Sequence, residues 1–364
     1  MRIFKHTPNF DFLAQRYWAF GITLALILAG AISLIIKGGP SYGIDFAGGT
    51  LVQVKFTSGA KANPDAIRQA LAKMSLGNFV IQQYGQPQDN EYLIRVAKAE
   101  SGLGGLNRLL DTNLTQALGK GNFDIRRIES VGPQVGRDLR RKGILAIFWA
   151  LIGILLYIVV RFRQCEGAIV LGAAGVFALF HDVFITVGIF SILNKEIDLT
   201  ALAALLTLAG YSINDTVVVY DRFRENFSQR RREIAHNPKA YGKIWNDTIN
   251  ETLPRTALTG VATLFVVIVL FIWGGEVIHN FAFALCFGII IGTYSSIFVA
   301  APMVYEWHTW WERRKKTIQL APASKYSAKS SPGPASLSKK ADLTTAKVAN
   351  SPKQAAPARK KKRR

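Results

Sequence analysis

Six long apolar runs constrain the fold of this chain more than any other feature of its 364 residues. Each run is close to the roughly 17 to 25 residues that a helix needs to cross the hydrocarbon core of a bilayer. Runs of this length favour membrane-spanning helices over the amphipathic helices of a water-soluble protein. We therefore expect six transmembrane helices, at residues 17–36, 143–160, 168–193, 199–220, 257–273 and 281–304.

Between the first and second runs lies a polar segment, residues 37–142, that is long enough to bury a core of its own. Its pattern of apolar residues predicts a β-α-β-β-α-β order, which is the order of a ferredoxin-like domain. The predicted fold class is thus an α-helical membrane protein with one α+β ferredoxin-like domain. The expected elements are strand 50–56, helix 64–74, strand 79–84, strand 91–97, helix 103–118 and strand 123–130.

The distribution of Lys and Arg predicts the orientation in the membrane. Basic residues are frequent in loops 161–167 and 221–256 and in both termini, whereas loops 194–198 and 274–280 hold only Lys195 between them. Because short cytoplasmic loops are enriched in Lys and Arg, we expect residues 1–16 and 305–364 to be cytoplasmic and domain 37–142 to be exported. The first run is longer than the apolar core of a cleaved signal peptide, so we expect an uncleaved span.

The residue types that serve metals, cofactors and hydrolysis are sparse. The two cysteines, Cys165 and Cys286, cannot form a disulfide framework, and neither has a Cys or His neighbour at ligand spacing. No Walker motif, nucleophile elbow or zincin signature occurs in the chain. We therefore expect no cofactor, no metal and no enzymatic activity, including nucleotide hydrolysis.

Ionisable residues inside the apolar runs are the candidate functional groups. Asp215 lies within the fourth run, Asp182 is near the midpoint of the third, and Arg255 precedes the fifth. A carboxylate within the hydrocarbon region costs roughly 2.5 to 3.5 kcal/mol near its centre, so such residues usually face a bundle interior or a water path. Asp215 and Arg255 are expected at similar depths, which favours an ion pair across the bundle. Asp182 is expected deeper, so the three residues define a candidate proton path from mid-membrane to the cytoplasm. Helix–helix hydrogen bonding by the acids and snorkelling by Arg255 remain alternatives.

Two glycine patterns predict close backbone approaches. Gly43, Asp45, Gly48 and Gly49 belong to the segment that leads from the first run into the polar domain, where the glycines favour a tight turn. A phosphate-binding loop is disfavoured there, because a strand follows and no P-loop lysine is present. In the last run, Gly288 and Gly292 match the small-xxx-small pattern of tightly packed helices.

Together these motifs resemble the SecF family of protein-export subunits, within the resistance–nodulation–division (RND) superfamily. The resemblance rests on four separated motifs in the expected order: Gly43–Gly49, Val131–Gly136, His181–Asp182 and Gly210–Arg222. It implies a six-span half-transporter that pairs with SecD and uses proton motive force to help move preproteins across the bacterial inner membrane. It also implies proton-relay roles for Asp215 and Arg255, with Asp182 in the family's His-Asp motif and a periplasmic location for domain 37–142.

The partners implied by the resemblance are SecD, the Sec channel (SecY, SecE and SecG) and preproteins, with YajC and the membrane insertase as further candidates. Two other classes of function stay open at this point: an RND exporter of small molecules or lipids, and a membrane tether that acts through the tail. An exporter of that kind usually has two loop domains in one chain, whereas one is expected here.

The tail, residues 305–364, departs from the family pattern. It holds sixteen Lys or Arg against three acidic residues, which accounts for +13 of the net charge of +21. Its richness in Ala, Ser, Pro and Lys predicts disorder. Ribosomal RNA and anionic lipid are the candidate partners for so basic a segment.

Overall fold

The computed structural model describes residues 9–57, 64–72, 79–84, 90–96, 108, 111–116, 119, 121–165, 167–237 and 239–320. Six helices of this described chain are long and apolar enough to span a membrane, which confirms the helical fold class. In chain order the helices are α1 Arg16–Ile36, α2 Ile44–Ala47, α3 Pro64–Ala72, α4 Pro133–Arg161, α5 Ala168–Ile192, α6 Leu199–Gln229, α7 Arg231–His236, α8 Ala240–Trp273, α9 His279–Ser295 and α10 Ala301–Leu320.

The α+β part of the predicted fold is also present, as a four-stranded antiparallel sheet. The strands are β1 Gly49–Phe56, β2 Phe79–Tyr84, β3 Glu91–Val96 and β4 Phe123–Val131, in the spatial order β2-β3-β1-β4. This order is the one that a split βαβ arrangement generates. More than half of the helix predicted at 103–118 lies outside the described residues. Within that range, the described residues 111–116 are helical. We call the four strands, together with α3 and the helical residues 111–116, the sheet domain.

Alternation along the strands separates a buried face from an outer face. Val52, Val54 and Phe56 of β1 are fully or almost fully buried under the helices, while Leu51 and Gln53 point the other way. The buried core of the sheet domain consists of Val52, Val54, Phe56, Ile67, Leu71, Tyr92, Ile94, Val96 and Leu114.

Several spanning helices extend well beyond their apolar runs. Helix α4 begins ten residues before its run, and the helices α6 and α8 continue as a polar hairpin around α7. Inside the hairpin, Phe223 stacks on Trp245 with ring centroids 3.7 Å apart, and Arg222 pairs with Glu251 at 2.6 Å. Apolar composition marks the part of a helix that suits lipid, but the backbone hydrogen bonds continue wherever the extension finds packing partners.

The final helix corrects the expectation that the whole segment from residue 305 lacks order. Helix α9 passes through a π-helical turn, Ser296–Ala300, into α10, which continues to Leu320. Trp307, Trp310 and Trp311 lie on α10 just before a basic stretch, an arrangement typical of a helix leaving the membrane interface. Helical order thus extends into the predicted tail, and residues 321–364 lie outside the described chain.

Candidate functional site

Asp182 occupies the centre of a polar cluster inside the helix bundle. Its side chain on α5 is fully buried, and its Oδ2 accepts hydrogen bonds from the hydroxyls of Ser212 on α6, at 2.6 Å, and Ser295 on α9, at 2.8 Å. Its Oδ1 lies 2.9 Å from Nδ1 of His181. One carboxylate therefore joins three spanning helices.

Close packing of α6 on α9 places both serines next to this carboxylate. Gly288 lies against the Leu208 side chain, so close that an added Cβ would come within 2.6 Å of it. One turn later, a Cβ on Gly292 would lie 3.1 Å from Cβ of Ser212 and 3.6 Å from Oδ2 of Asp182. The two glycines thus allow the helix contact on which the cluster depends. The π-helical turn begins directly after Ser295, and such turns are frequent at functional sites.

Asp215 lies on the same helix as Ser212, about 4.5 Å further along its axis. Only 3% of Asp215 is exposed, and its Oδ2 has no hydrogen-bond partner. Its electrostatic neighbours are the guanidinium of Arg255 and the hydroxyl of Thr259, both on α8. Among the described residues no nitrogen of Arg255 comes within the 4.0 Å of an ion pair with Asp215.

The structure therefore brings Arg255 near Asp215 without a direct ion pair. The Arg255 side chain is exposed on the surface of this chain. The charges are close enough to influence each other, and each keeps hydrogen-bonding capacity for another group.

Further polar atoms without partners surround the two acids. The hydroxyls of Tyr211, Thr256 and Thr293 and the Nε2 of His181 are buried and have no hydrogen-bond partner in the described chain. These atoms belong to α5, α6, α8 and α9, the helices that carry Asp182, Asp215, Arg255 and Ser295 respectively. Buried polar atoms are normally satisfied, so these atoms make the region around the two acids the candidate functional site.

Sequence reasoning did not assign functional roles to Ser295, Thr259 or Thr293. The available signal was the run of hydroxyl residues Thr293, Ser295 and Ser296 inside an otherwise apolar span. Which of these hydroxyls faces an acid depends on helix rotation, and that information is absent from a single sequence.

The glycine-rich segment near residue 45 lies far along the chain from this site but contacts the same helix. Oδ2 of Asp45 accepts a hydrogen bond from the backbone N–H of Leu199, the first residue of α6, at 2.9 Å. Gly48 has φ +75, and a Cβ there would lie 2.8 Å from Cα of Pro133. A residue with a side chain would be strained at this position, which explains the glycine.

The chemistry available to the site is the uptake and release of protons. Asp182 and Asp215 are carboxylates surrounded by hydroxyls and an imidazole, all of which can donate or accept a proton. Among the described residues no three His, Cys, Asp or Glu side chains come together as a set that could hold a metal ion.

Comparison with known proteins identifies similar chains. Residues 111–310 match the family described as "Protein export membrane protein SecD/SecF, C-terminal", and residues 32–60 match "SecD/SecF GG Motif". A protein translocase subunit SecF from Magnetococcus marinus is 46% identical over 308 residues, which cover 84% of this chain and 94% of that protein. The SecF of Escherichia coli O157:H7 is 37% identical over 297 residues, covering 81% and 86%.

A solved structure is similar as well. The crystal structure of SecDF, a translocon-associated membrane protein from Thermus thermophilus, has a TM-score of 0.72 and 33% identity to this chain. The match covers 84% of this chain and 40% of that one, so this chain spans about two fifths of the solved protein.

Proposed function

Because the chain belongs to the SecF family of protein translocase subunits, we propose that it couples the proton motive force to a late stage of preprotein translocation across the bacterial inner membrane. Its working partner in this proposal is SecD, because the similar protein from Thermus thermophilus is a SecDF. The names of the relatives favour protein translocation over a small-molecule exporter.

The observation that carries the proposal is the state of Asp215. This carboxylate is buried in a spanning helix, with one oxygen lacking a partner and an arginine close by. An ionised group in that position is costly, and residues of this kind usually mark a proton or ion path. Asp182 extends the path deeper into the bundle through Ser212, which lies one turn from Asp215 on α6.

The membrane potential provides enough energy for such a step. Moving one charge through 100 mV is worth about 2.3 kcal/mol, which shifts a two-state equilibrium roughly fifty-fold. Protonation of Asp215 removes the attraction between its carboxylate and Arg255, so α6 and α8 become free to move relative to each other. The sheet domain, which connects α1 to α4, moves with them and holds the emerging polypeptide against backsliding.

In this proposal both termini and the α6–α8 hairpin are cytoplasmic, and the sheet domain is periplasmic. The tryptophans of α10 and the basic residues Arg313, Arg314 and Lys315 that follow support this side for the end of the chain. Exposed apolar side chains on α4 and α8, including Phe148, Leu156, Val261 and Phe265, face lipid or SecD. The Sec channel, YajC and the insertase remain proposed partners, and no cofactor or enzymatic step is required.

Replacing Asp215 by Asn tests the relay, since it keeps the size of the side chain and removes its titration. In cells lacking the native copy, we expect Asp215→Asn to abolish the contribution of the proton motive force to preprotein export. Asp221→Asn is the matched control, because Asp221 lies on the same helix but pairs with Arg161 in a partly exposed position. Undiminished proton-driven export by Asp215→Asn, at normal protein levels, would refute the proposal.

The basic segment beyond residue 320 is a second, accessory binding element in this proposal. Its candidate partners are ribosomal RNA and anionic lipid, both polyanions whose binding weakens with salt. Deletion of residues 321–364 should leave export intact and remove salt-sensitive binding to ribosomes or to phosphatidylserine vesicles. Loss of export in the deletion variant would instead give the segment a role in translocation itself.

A further inference from the structure

One helix connects the proposed proton site to the sheet domain. Helix α6 carries Asp215 in its middle and begins at Leu199, about 24 Å earlier along the helix axis. The sheet domain and the segment leading into it directly contact the N-terminal end of α6 and the loop before it. The contacts there decide whether a movement of α6 reaches the sheet.

Backbone hydrogen bonds hold the first part of this contact. The N–H of Ile197 donates to the carbonyl of Ser41 at 2.7 Å, and the N–H of Gly43 donates to the carbonyl of Ile197 at 2.9 Å. Together with the Asp45 hydrogen bond to Leu199, they fix residues 41–45 on the start of α6. A larger residue at position 43 would crowd this contact, because a Cβ would lie 3.2 Å from Cβ of Asp198.

Arg95 extends the contact to the sheet itself. Its Nη2 lies 2.5 Å from Oε2 of Glu196, three residues before α6, and donates to the carbonyl of Tyr42 at 2.6 Å. Arg95 belongs to β3, which pairs with β1 on one side and β2 on the other, so its backbone is fixed in the middle of the sheet. Burial raises the pKa of Glu196, while the Arg95 guanidinium opposes this effect. The charge of Glu196 is therefore supported by Arg95.

The surroundings of this pair are open. The outer face of the sheet and the loops beside α6 are separated by a cavity of about 370 Å³, lined by Gln53, Leu93, Arg127, Glu129, Asp198 and Asn280. Beside this cavity a polar pair connects β3 to the loop before α6, in addition to the contacts that residues 41–45 make with the start of α6. Arg95 and Glu196 are thus the direct side-chain link between the sheet itself and the N-terminal end of α6.

We propose that Arg95 and Glu196 are positioning residues that form a lasting joint between the sheet domain and α6, so that movement of α6 at Asp215 moves the sheet. The inference rests on the proposed proton-driven function. In a lasting joint the pair stays closed throughout the cycle. A latch, by contrast, would have to open once per cycle.

Charge reversal tests the joint in the full chain with its partner present. Arg95→Glu and Glu196→Arg should each lower proton-driven export about fivefold or more, the effect of losing roughly 1 kcal/mol of coupling. Proton flux through the reconstituted complex should persist, since the acids in the membrane are untouched. The double variant Arg95→Glu/Glu196→Arg should recover export to within about twofold, as expected for residues that act as a pair.

Arg127→Glu is the matched control, because Arg127 lines the same cavity but pairs with Glu129 on its own strand. Export by Arg95→Glu at the level of Arg127→Glu would overturn the joint. A double variant that is stable yet exports no better than either single variant would overturn it as well.

Cross-linking separates a lasting joint from a latch and does not depend on the reversed charges folding well. In a Cys165→Ala/Cys286→Ala background, Arg95→Cys/Glu196→Cys should export poorly, and a short thiol-reactive cross-linker should restore export. Further loss of export on cross-linking would mean that the pair must open, which overturns the proposal.

The Asp215→Asn variant, measured in parallel, keeps the two proposals distinct. Normal proton-driven export by Asp215→Asn refutes the proton relay, whatever the behaviour of Arg95. Loss of export in Asp215→Asn together with normal export in Arg95→Glu refutes the joint alone.

Discussion

At the scale of single residues, the two membrane acids differ in how well they are satisfied. Asp182 is surrounded by His181, Ser212 and Ser295, whereas one oxygen of Asp215 has no partner. A fully hydrogen-bonded carboxylate is held in one geometry, and a partly satisfied one can exchange its neighbours more easily. Within the proposed path, this contrast favours Asp215 as the group that changes its neighbours more easily, while Asp182, deeper in the path, also holds the helices around it together.

The hydrogen bond from Ser295 can be measured separately from helix packing. Ser295→Ala removes the donor to Asp182, and we expect it to lower the free energy of unfolding by about 1 kcal/mol, as for other hydrogen bonds between membrane helices. Ser296→Ala is the control, because this neighbouring buried hydroxyl donates to the carbonyl of Thr293 in its own helical segment. Thermal unfolding in detergent provides the measurement. An equal effect of Ser295→Ala in the Asp182→Asn background would contradict the assigned bond.

At the scale of helices, pairs of glycines decide how closely the spans approach. Gly30 on α1 faces Gly188 on α5, and a Cβ on Gly30 would lie 3.0 Å from Cα of Gly188. Gly288 and Gly292 play the same part between α9 and α6. Without a hydrophobic force between helices inside lipid, close packing of this kind contributes much of the association energy.

Gly30→Ala should therefore push α1 away from α5 and destabilise the bundle by about 1 to 3 kcal/mol, the usual range for overpacking. Gly21→Ala on the same helix has nothing within 4 Å of its new Cβ. We expect it to be neutral or stabilising, since Ala favours helix more than Gly by about 1 kcal/mol. Unfolding curves of both variants in detergent measure these stabilities. A destabilised Gly21→Ala together with an unaffected Gly30→Ala would contradict the close packing of α1 on α5 at Gly30.

At the scale of the whole molecule, distant parts of the chain meet at both ends of the bundle. At one end the start of the chain contacts its last helical segments: Arg16, the first residue of α1, pairs with Glu306 of α10 at 2.5 Å, and the ring of Phe12, before α1, packs on Phe298 of the π-helical turn. At the other end residues 41–45 bind the start of α6. The spans are thus joined by contacts beyond those inside lipid.

The contact before α1 depends on two asparagines of α8. Asn246 and Asn250 each bond the backbone of Phe10 or Phe12 through their side chains, at 2.8 to 2.9 Å. Asn246→Ala/Asn250→Ala should make residues 9–15 several times more sensitive to limited proteolysis in detergent. Asn237→Ala, in the exposed turn after α7, should leave the cleavage rate unchanged. Equal rates for all three proteins would show that the asparagines do not hold the segment.

The sequence alone predicted the six spans and the order of the strands, because both depend on local patterns. An apolar run of span length and an alternating strand are visible within 20 residues. It also singled out Asp182, Asp215 and Arg255, since a charge next to or inside an apolar run is conspicuous without any structure. The helices α4, α6, α8 and α10 continue beyond the predicted spans, because packing outside the lipid extends them past their apolar runs.

The tertiary structure decided which groups meet. Ser295 reaches Asp182 from 113 residues further along the chain, and Arg95 reaches Glu196 across the boundary between the sheet and the membrane helices. Such pairs depend on the rotation of each helix and on the placement of the sheet. Neither can be read from composition or periodicity. The spans of a membrane protein can therefore be predicted from short stretches of its sequence. The partners of its buried charges are set by contacts over long sequence distances.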